Sequence, residues 1–213
     1  MAAERKKAKK SWPMLLITAA FVALLMAGLP YARGYLIREN GLDVTPETVI
    51  PPKAVRAFLQ NDARWSSDKL GDSEFSLGGH GCLVCCIASS LCGLGIDTDP
   101  KSVNEALAKA GAYTPEGEVV WNKLKDAFGA GYSYRNDFSA GTLEKLLQKG
   151  LLPIVRVKYK GTGAEHWVLL VGSGREDFLA LDPLEPSGEP IPLKTHGRVY
   201  AYRVLEKATA QAK

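Results

Sequence analysis

Polarity along the chain changes abruptly. From Ser11 to Ala32 no residue is charged, and the run MLLITAAFVALLMAGL (14–29) is almost wholly apolar. A helix crossing the hydrocarbon of a bilayer needs about 20 such residues, because no water is present there to satisfy the backbone. Residues 11–32 are therefore expected to form a transmembrane signal-anchor helix. Pro46, Pro51 and Pro52 then fall in a stretch with no apolar period, so 33–54 is expected to be an extended linker. The patterned remainder, 55–206, is expected to be one domain, with 207–213 a disordered tail.

Within that domain, VRAFLQN (55–61) has the texture of a strand or strand end, and GDSEFSLGGHG (71–81) that of a glycine-rich loop. Cys82 to Cys92 is nearly all apolar or small, which predicts a buried helix stopped by Gly93 or Gly95. Asp99-Pro100 predicts a second helix, with Asp as cap and Pro at its first position, reaching about Ala110. Two more are expected over Val119–Phe128 and from a Ser139 or Thr142 cap to Gln148. After Gly150 the runs LLPIVRVKY, HWVLLVG, DFLALD, EPIPLKT and RVYAYRV are short, β-prone and separated by turn residues, the pattern of an antiparallel sheet. Helices followed by strands give an α+β class. No repeat of solenoid period is present.

Composition adds less than the pattern does. With 213 residues, 46% apolar and 23% charged, the chain has the makings of a globular core rather than disorder. The formal charge of +4 is concentrated at Arg5, Lys6, Lys7, Lys9 and Lys10. The remainder is close to neutral, which argues against a nucleic-acid partner. A basic tail (1–10) ahead of an apolar helix predicts a cytoplasmic N-terminus and a domain in the periplasm or outside the cell. The competing possibility is a cleaved signal peptide. Its apolar core usually spans about 7–15 residues, shorter than this run, and Pro30-Tyr31-Ala32 makes a poor cleavage site.

All four cysteines lie in LGGHGCLVCCIASSLCGLG (77–95). A metal nest is disfavoured: with Cys82 at zero on a helix, Cys85, Cys86 and Cys92 fall at about 300°, 40° and 280°, over three turns, and cannot close a tetrahedron. The CLVC pair permits a thiol oxidoreductase through Cys82 and Cys85, although no βαβ pattern surrounds it. A single working thiol is the third possibility. Cys85, Cys86 and Cys92 sit in the helix interior, where free cysteine behaves as a small apolar residue. Cys82 occupies the first turn, where the helix N-terminus favours thiolate.

A thiolate nucleophile calls for an imidazole base and an acceptor that orients it. His196, between Thr195 and Gly197, has the context of an exposed loop residue. His80 is too close to Cys82 to turn back on it and is expected to line the approach or cap the loop. His166 opens the most apolar strand, and folding the following hairpin about Gly174 sets it opposite Asp182. Opposed residues share a face with Cβ atoms about 5 Å apart, so a hydrogen bond is expected. Gln60, with the Cys82 N–H, could donate to an oxyanion.

Gln60 in QNDARW, Cys82 in GCLVCCIASSL, His166 in EHWVLLVG and Asp182 in LALDP occur in the order of a papain-like cysteine peptidase. More closely, residues 55–206 resemble the bacteriocin-processing, double-glycine-type peptidase family and its stand-alone relatives. The resemblance implies a papain-like fold with the nucleophile helix on an antiparallel sheet. It implies Cys82 as nucleophile, His166 as general base and then acid, Asp182 as orienter and Gln60 as oxyanion donor, with no cofactor and no metal. The expected function is a membrane-anchored cysteine peptidase acting on an exported peptide or protein. An inactive peptidase-like module serving a membrane complex, a CxxC oxidoreductase and an acyl transfer to an amine stand as alternatives.

Overall fold

The computed structural model describes residues 12–133 and 139–207. The basic tail and the residues beyond 207 lie outside the described residues. Helix α1 (Trp12–Asn40) is followed by α2 (Leu77–His80), α3 (Cys82–Gly93), α4 (Pro100–Lys109), α5 (Leu124–Phe128), β1 (Ala130–Ser133) and α6 (Ala140–Gln148). The later elements are β2 (Pro153–Lys158), β3 (Glu165–Ser173), β4 (Phe178–Leu181), β5 (Ile191–Pro192) and β6 (Val199–Lys207). The strands form one antiparallel sheet in the order β1-β6-β2-β3-β4-β5. This is the mixed class of helices and antiparallel sheet expected from the chain's periodicities.

Helix α3 packs against β3, β2 and β6, and every residue from Cys82 to Leu91 is buried. That explains its continuous apolar sequence: a helix covered on all sides has no polar stripe. Helices α4 and α6 begin where predicted. The Asp99 carboxylate accepts from Ser102 N–H and Ser139 Oγ accepts from Thr142 N–H, each satisfying an N–H that the helix itself cannot.

Four expectations are corrected. VRAFLQN joins no ladder; it crosses the domain and the Gln60 N–H bonds to Pro183 O. The helix expected over Val119–Phe128 is shorter: Val119 bridges Tyr113, a 3₁₀ turn covers Trp121–Lys123, and only Leu124–Phe128 is α-helical. Strand β5 is two residues long, since Pro190 and Pro192 have no N–H to give a ladder.

The fourth correction concerns 33–54, which is not a free tether. Helix α1 continues through it to Asn40, and Ile37 and Val44 are buried in the core. The rest straps the sheet by completing ladders that the strands leave open. Strand β1 pairs only with Val204–Lys207 of β6, and Leu42 takes the vacant edge at Val199 with bonds of 2.8 and 3.0 Å. Strand β2 pairs with β3 only as far as Leu169, and Ile50 and Lys53 then take over, bonding Ser173 and Val171 O. The buried Glu144 carboxylate anchors the strap by accepting from Glu47 N–H, Thr48 N–H and the Thr48 hydroxyl. Proline-rich sequence lacks a period because each residue answers a local vacancy, not because it is unattached.

Leu16–Asn40 is one helix long and apolar enough to cross a membrane.

Candidate active site

The site begins in the glycine-rich turn. Ser76 caps α2 by accepting from Gly79 N–H, and Gly81 closes α2 onto Leu77 O at 2.7 Å, so the chain enters α3 within one residue. Two of these glycines are needed for space. A Cβ on Gly78 would lie 2.8 Å from Ser66 O, and one on Gly81 would lie 2.4 Å from Leu77 O. Cys82 is the first residue of α3 and is 9% exposed. Its N–H and those of Leu83 and Val84 precede the first helical bond, from Cys85 N–H to Gly81 O, and so present positive dipole ends beside the sulfur.

Gln60 is buried against the same turn. Its Nε2 donates to Gly78 O at 2.9 Å, which fixes the amide with nitrogen toward Gly78, and Gln60 lines the same cleft as Cys82. Among the described residues no group accepts its second amide hydrogen, and its Oε1 has no partner.

His166 sits near the start of β3, level with Val157 of β2, and is 3% exposed. Its Nε2 lies 2.6 Å from Asp182 Oδ1. Nδ1 is then the ring nitrogen not engaged by Asp182, and Cys82 is close enough to the ring to act on its charge. The Tyr159 ring meets His166 edge-on at 5.5 Å. Burial alone would hold the imidazole neutral; the bond to Asp182 and the nearby Cys82 outweigh it and raise its pKa to about 9. Burial would likewise push the Asp182 carboxyl up, but bonds from His166 and Leu184 N–H, with His196 close by, prevail and hold it well below the usual carboxylate range.

The expected contact between His166 and Asp182 is present, but not through the expected hairpin. Near the turn, Ser173 pairs with Phe178 and Gly172 with Leu179; beyond it, Leu170 pairs with Ala180 and Leu169 with Leu181. Val171 is therefore an extra residue, a β-bulge. Continued without it, the first register would set Asp182 level with Leu169, on the face away from His166. With it, Asp182 falls level with Val168, and His166 lies two residues along on that same face. The bulge is held from outside the hairpin: Val171 O accepts from Lys53 N–H at 2.8 Å.

The other candidates separate cleanly. Cys85 and Cys86 are buried, and desolvation first, with the neighbouring Cys82 second, drives both thiols far above the ordinary range. The Cys86 thiol donates to Trp167 O and the Cys92 thiol to Thr98 O. All four cysteines are unpaired with one another. His80 is exposed, lies against Phe75 at 4.4 Å and lines the cleft, in keeping with a place on the approach.

His196 was expected on the surface and is instead 1% exposed. Its Nε2 lies 3.2 Å from Asp182 Oδ2 and its Nδ1 accepts from Lys160 N–H at 3.2 Å. Thr-His-Gly carries no local signal of burial. The signal that could have found it is indirect: a buried carboxylate has two oxygens to satisfy, and His166 serves only one.

Cys82, His166 and Gln60 open on a cleft of about 730 Å³. Its walls include Trp121 and Trp167, with ring centroids 6.0 Å apart, and Arg156, paired with Glu165 at 2.9 Å.

A buried thiol at a helix tip, a ring held by a carboxylate and a side-chain amide at one end of an open cleft can together carry out acyl chemistry on an extended chain. Among solved structures, the chain is similar to one from Bacillus anthracis described as a C39-like peptidase. Identity is 17% and TM-score 0.49, over 78% of this chain and 98% of that one. No protein-family profile matches, and no curated protein matches in sequence.

Proposed function

We propose that this chain is a membrane-anchored cysteine peptidase that hydrolyses a peptide bond of an exported peptide or protein. Cys82 attacks the carbonyl carbon as thiolate. His166, as imidazolium, gives its proton to the departing amine, and then, as neutral imidazole, draws a proton from the water that releases the acyl group. Asp182 fixes the ring with Nδ1 toward sulfur and supports its charge. Gln60 and the Cys82 N–H receive the oxyanion. The basic N-terminus and α1 would set the domain in the periplasm or outside the cell, with α1 crossing the membrane.

The observation that carries this reading is the buried His166 ring, bonded to Asp182 at 2.6 Å and close enough to Cys82 for the two to influence each other's charge. The oxidoreductase alternative loses ground because Cys85 is buried and its thiol is driven upward, the reverse of a resolving thiolate. The test is alkylation of the full chain in detergent by iodoacetamide at pH 7, followed by peptide mass spectrometry. Cys82 should react at least tenfold faster than free glutathione, and His166→Ala should abolish that advantage. Cleavage profiles on a peptide library, lost in Cys82→Ala, would then define the substrate. A Cys82 that reacts no faster than glutathione would sink the proposal.

A further inference from the structure

Asp182 has more to satisfy than one imidazole. Its Oδ1 serves His166 Nε2 at 2.6 Å and Leu184 N–H at 2.8 Å; its Oδ2, in the same buried site, faces His196 Nε2 at 3.2 Å. The approach is close but not aligned as a hydrogen bond, and His196 Nε2 has no hydrogen-bond partner among the described residues. An unserved oxygen on a buried carboxylate is costly and lets the group rotate or take up a proton.

The tautomer of His196 follows from its other nitrogen. Nδ1 accepts the Lys160 N–H, so the ring proton of the neutral form sits on Nε2, the nitrogen 3.2 Å from Asp182 Oδ2. The backbone is shaped to make this contact. Lys160 is, among the described residues, the only non-glycine with positive φ, at 51°, a conformation that disfavours a side chain and collects at functional sites. The turn carrying Lys160 also supplies Tyr159, whose ring lies 5.5 Å from His166 and 5.8 Å from His196. Two separate loops, 159–163 and 193–197, thus converge on a ring that does not itself line the cleft but stands against Tyr159 and His166, which do.

Taking the peptidase reading as its basis, we propose that His196 is a positioning residue: a second imidazole that holds the Asp182 carboxylate in one rotamer and shares its charge, so that His166 stays aimed at Cys82. The site is a Cys–His–Asp–His chain rather than a triad.

Two conservative variants separate positioning from mere packing. His196→Gln places an amide N–H where Nε2 was and keeps a donor beside Asp182. His196→Asn places an amide oxygen where Nδ1 was, keeps the Lys160 bond and removes the donor beside Asp182. The readouts are the rate of Cys82 alkylation by iodoacetamide at pH 7.5 and the far-downfield proton resonance of the His166–Asp182 bond. His196→Asn should alkylate about tenfold more slowly, with that resonance shifted or lost, while His196→Gln stays within threefold of wild type and keeps the line. Equal behaviour of the two variants, in rate and in resonance, would overturn the proposal. If the wild-type thiol itself proves slow, the peptidase reading fails, and the resonance alone still decides whether His196 governs the His166–Asp182 bond.

Discussion

Replacing Asp182 by Asn tests the electrostatic core of the site. The ordinary histidine pKa of 6.5 rises to about 9 at His166. At ~1.36 kcal/mol per pH unit that rise is ~3 kcal/mol in favour of the imidazolium. Burial pulls in the opposite direction, and the bond to Asp182 is the largest of the contributions that overcome it. Without the carboxylate, the desolvated ring should return to about 6.5 or below, leaving about a tenth of it protonated at pH 7.5. The thiolate–imidazolium pair would then lose up to roughly 100-fold in population. Iodoacetate reports this directly, because an anionic reagent is drawn to a thiolate beside an imidazolium and loses that attraction when the ring deprotonates. Its rate at Cys82, followed by mass spectrometry from pH 5 to 10.5, should fall on the alkaline side near pH 9 in the wild type. In Asp182→Asn that limb should move to about 6.5 or below. A limb that stays within half a pH unit of the wild type would refute the reasoning, since Asp182 would then not support the charge on His166.

The same groups shape stability. A histidine whose pKa is raised on folding adds stability that is complete below pH 6.5 and is lost as pH rises through about 9. The unfolding free energy of the wild type from urea titration should therefore decline across that window by up to ~3 kcal/mol, while Asp182→Asn shows little decline. Gly172→Ala would push a Cβ to 2.6 Å from Ile50 O and 2.8 Å from Pro52 Cα, backbone that cannot step aside. A loss of about 2 kcal/mol or more is expected in chemical denaturation, and an unchanged midpoint would show that the strap does not hold the bulge. Gly81→Ala meets Leu77 O at 2.4 Å at an ordinary φ of −86°; it should keep the fold by circular dichroism yet slow Cys82 alkylation more than tenfold. A fragment starting at residue 40 retains the Leu42, Glu47 and Ile50 contacts and should melt cooperatively. One starting at 55 should be several kcal/mol less stable in the same assay.

How far this site could be read from the sequence depends on how local each constraint is. Caps and periods act within a few residues, so α3, α4, α6 and the strands after Gly150 were legible, and so were Cys82 at a helix start and Gln60 on the segment before it. The strap was not, because Leu42, Ile50 and Lys53 meet strands more than a hundred residues away, and nothing near them in sequence records those vacant edges. His196 failed for the same reason: its partners, Asp182 and the Lys160 N–H, come from other loops. The His166–Asp182 contact is the instructive case. The mirrored spacing about Gly174 named the right pair with the wrong register, and a displacement of three residues near the turn would have faced Asp182 away. The bulge at Val171 takes one back, and because side chains alternate with a period of two, a displacement of two restores the face. The contact therefore rests on a single extra residue, whose carbonyl is bonded by the strap rather than by the hairpin. A chain segment that sequence marks as a spacer thus holds, through one hydrogen bond, the bulge that turns Asp182 to the face of His166.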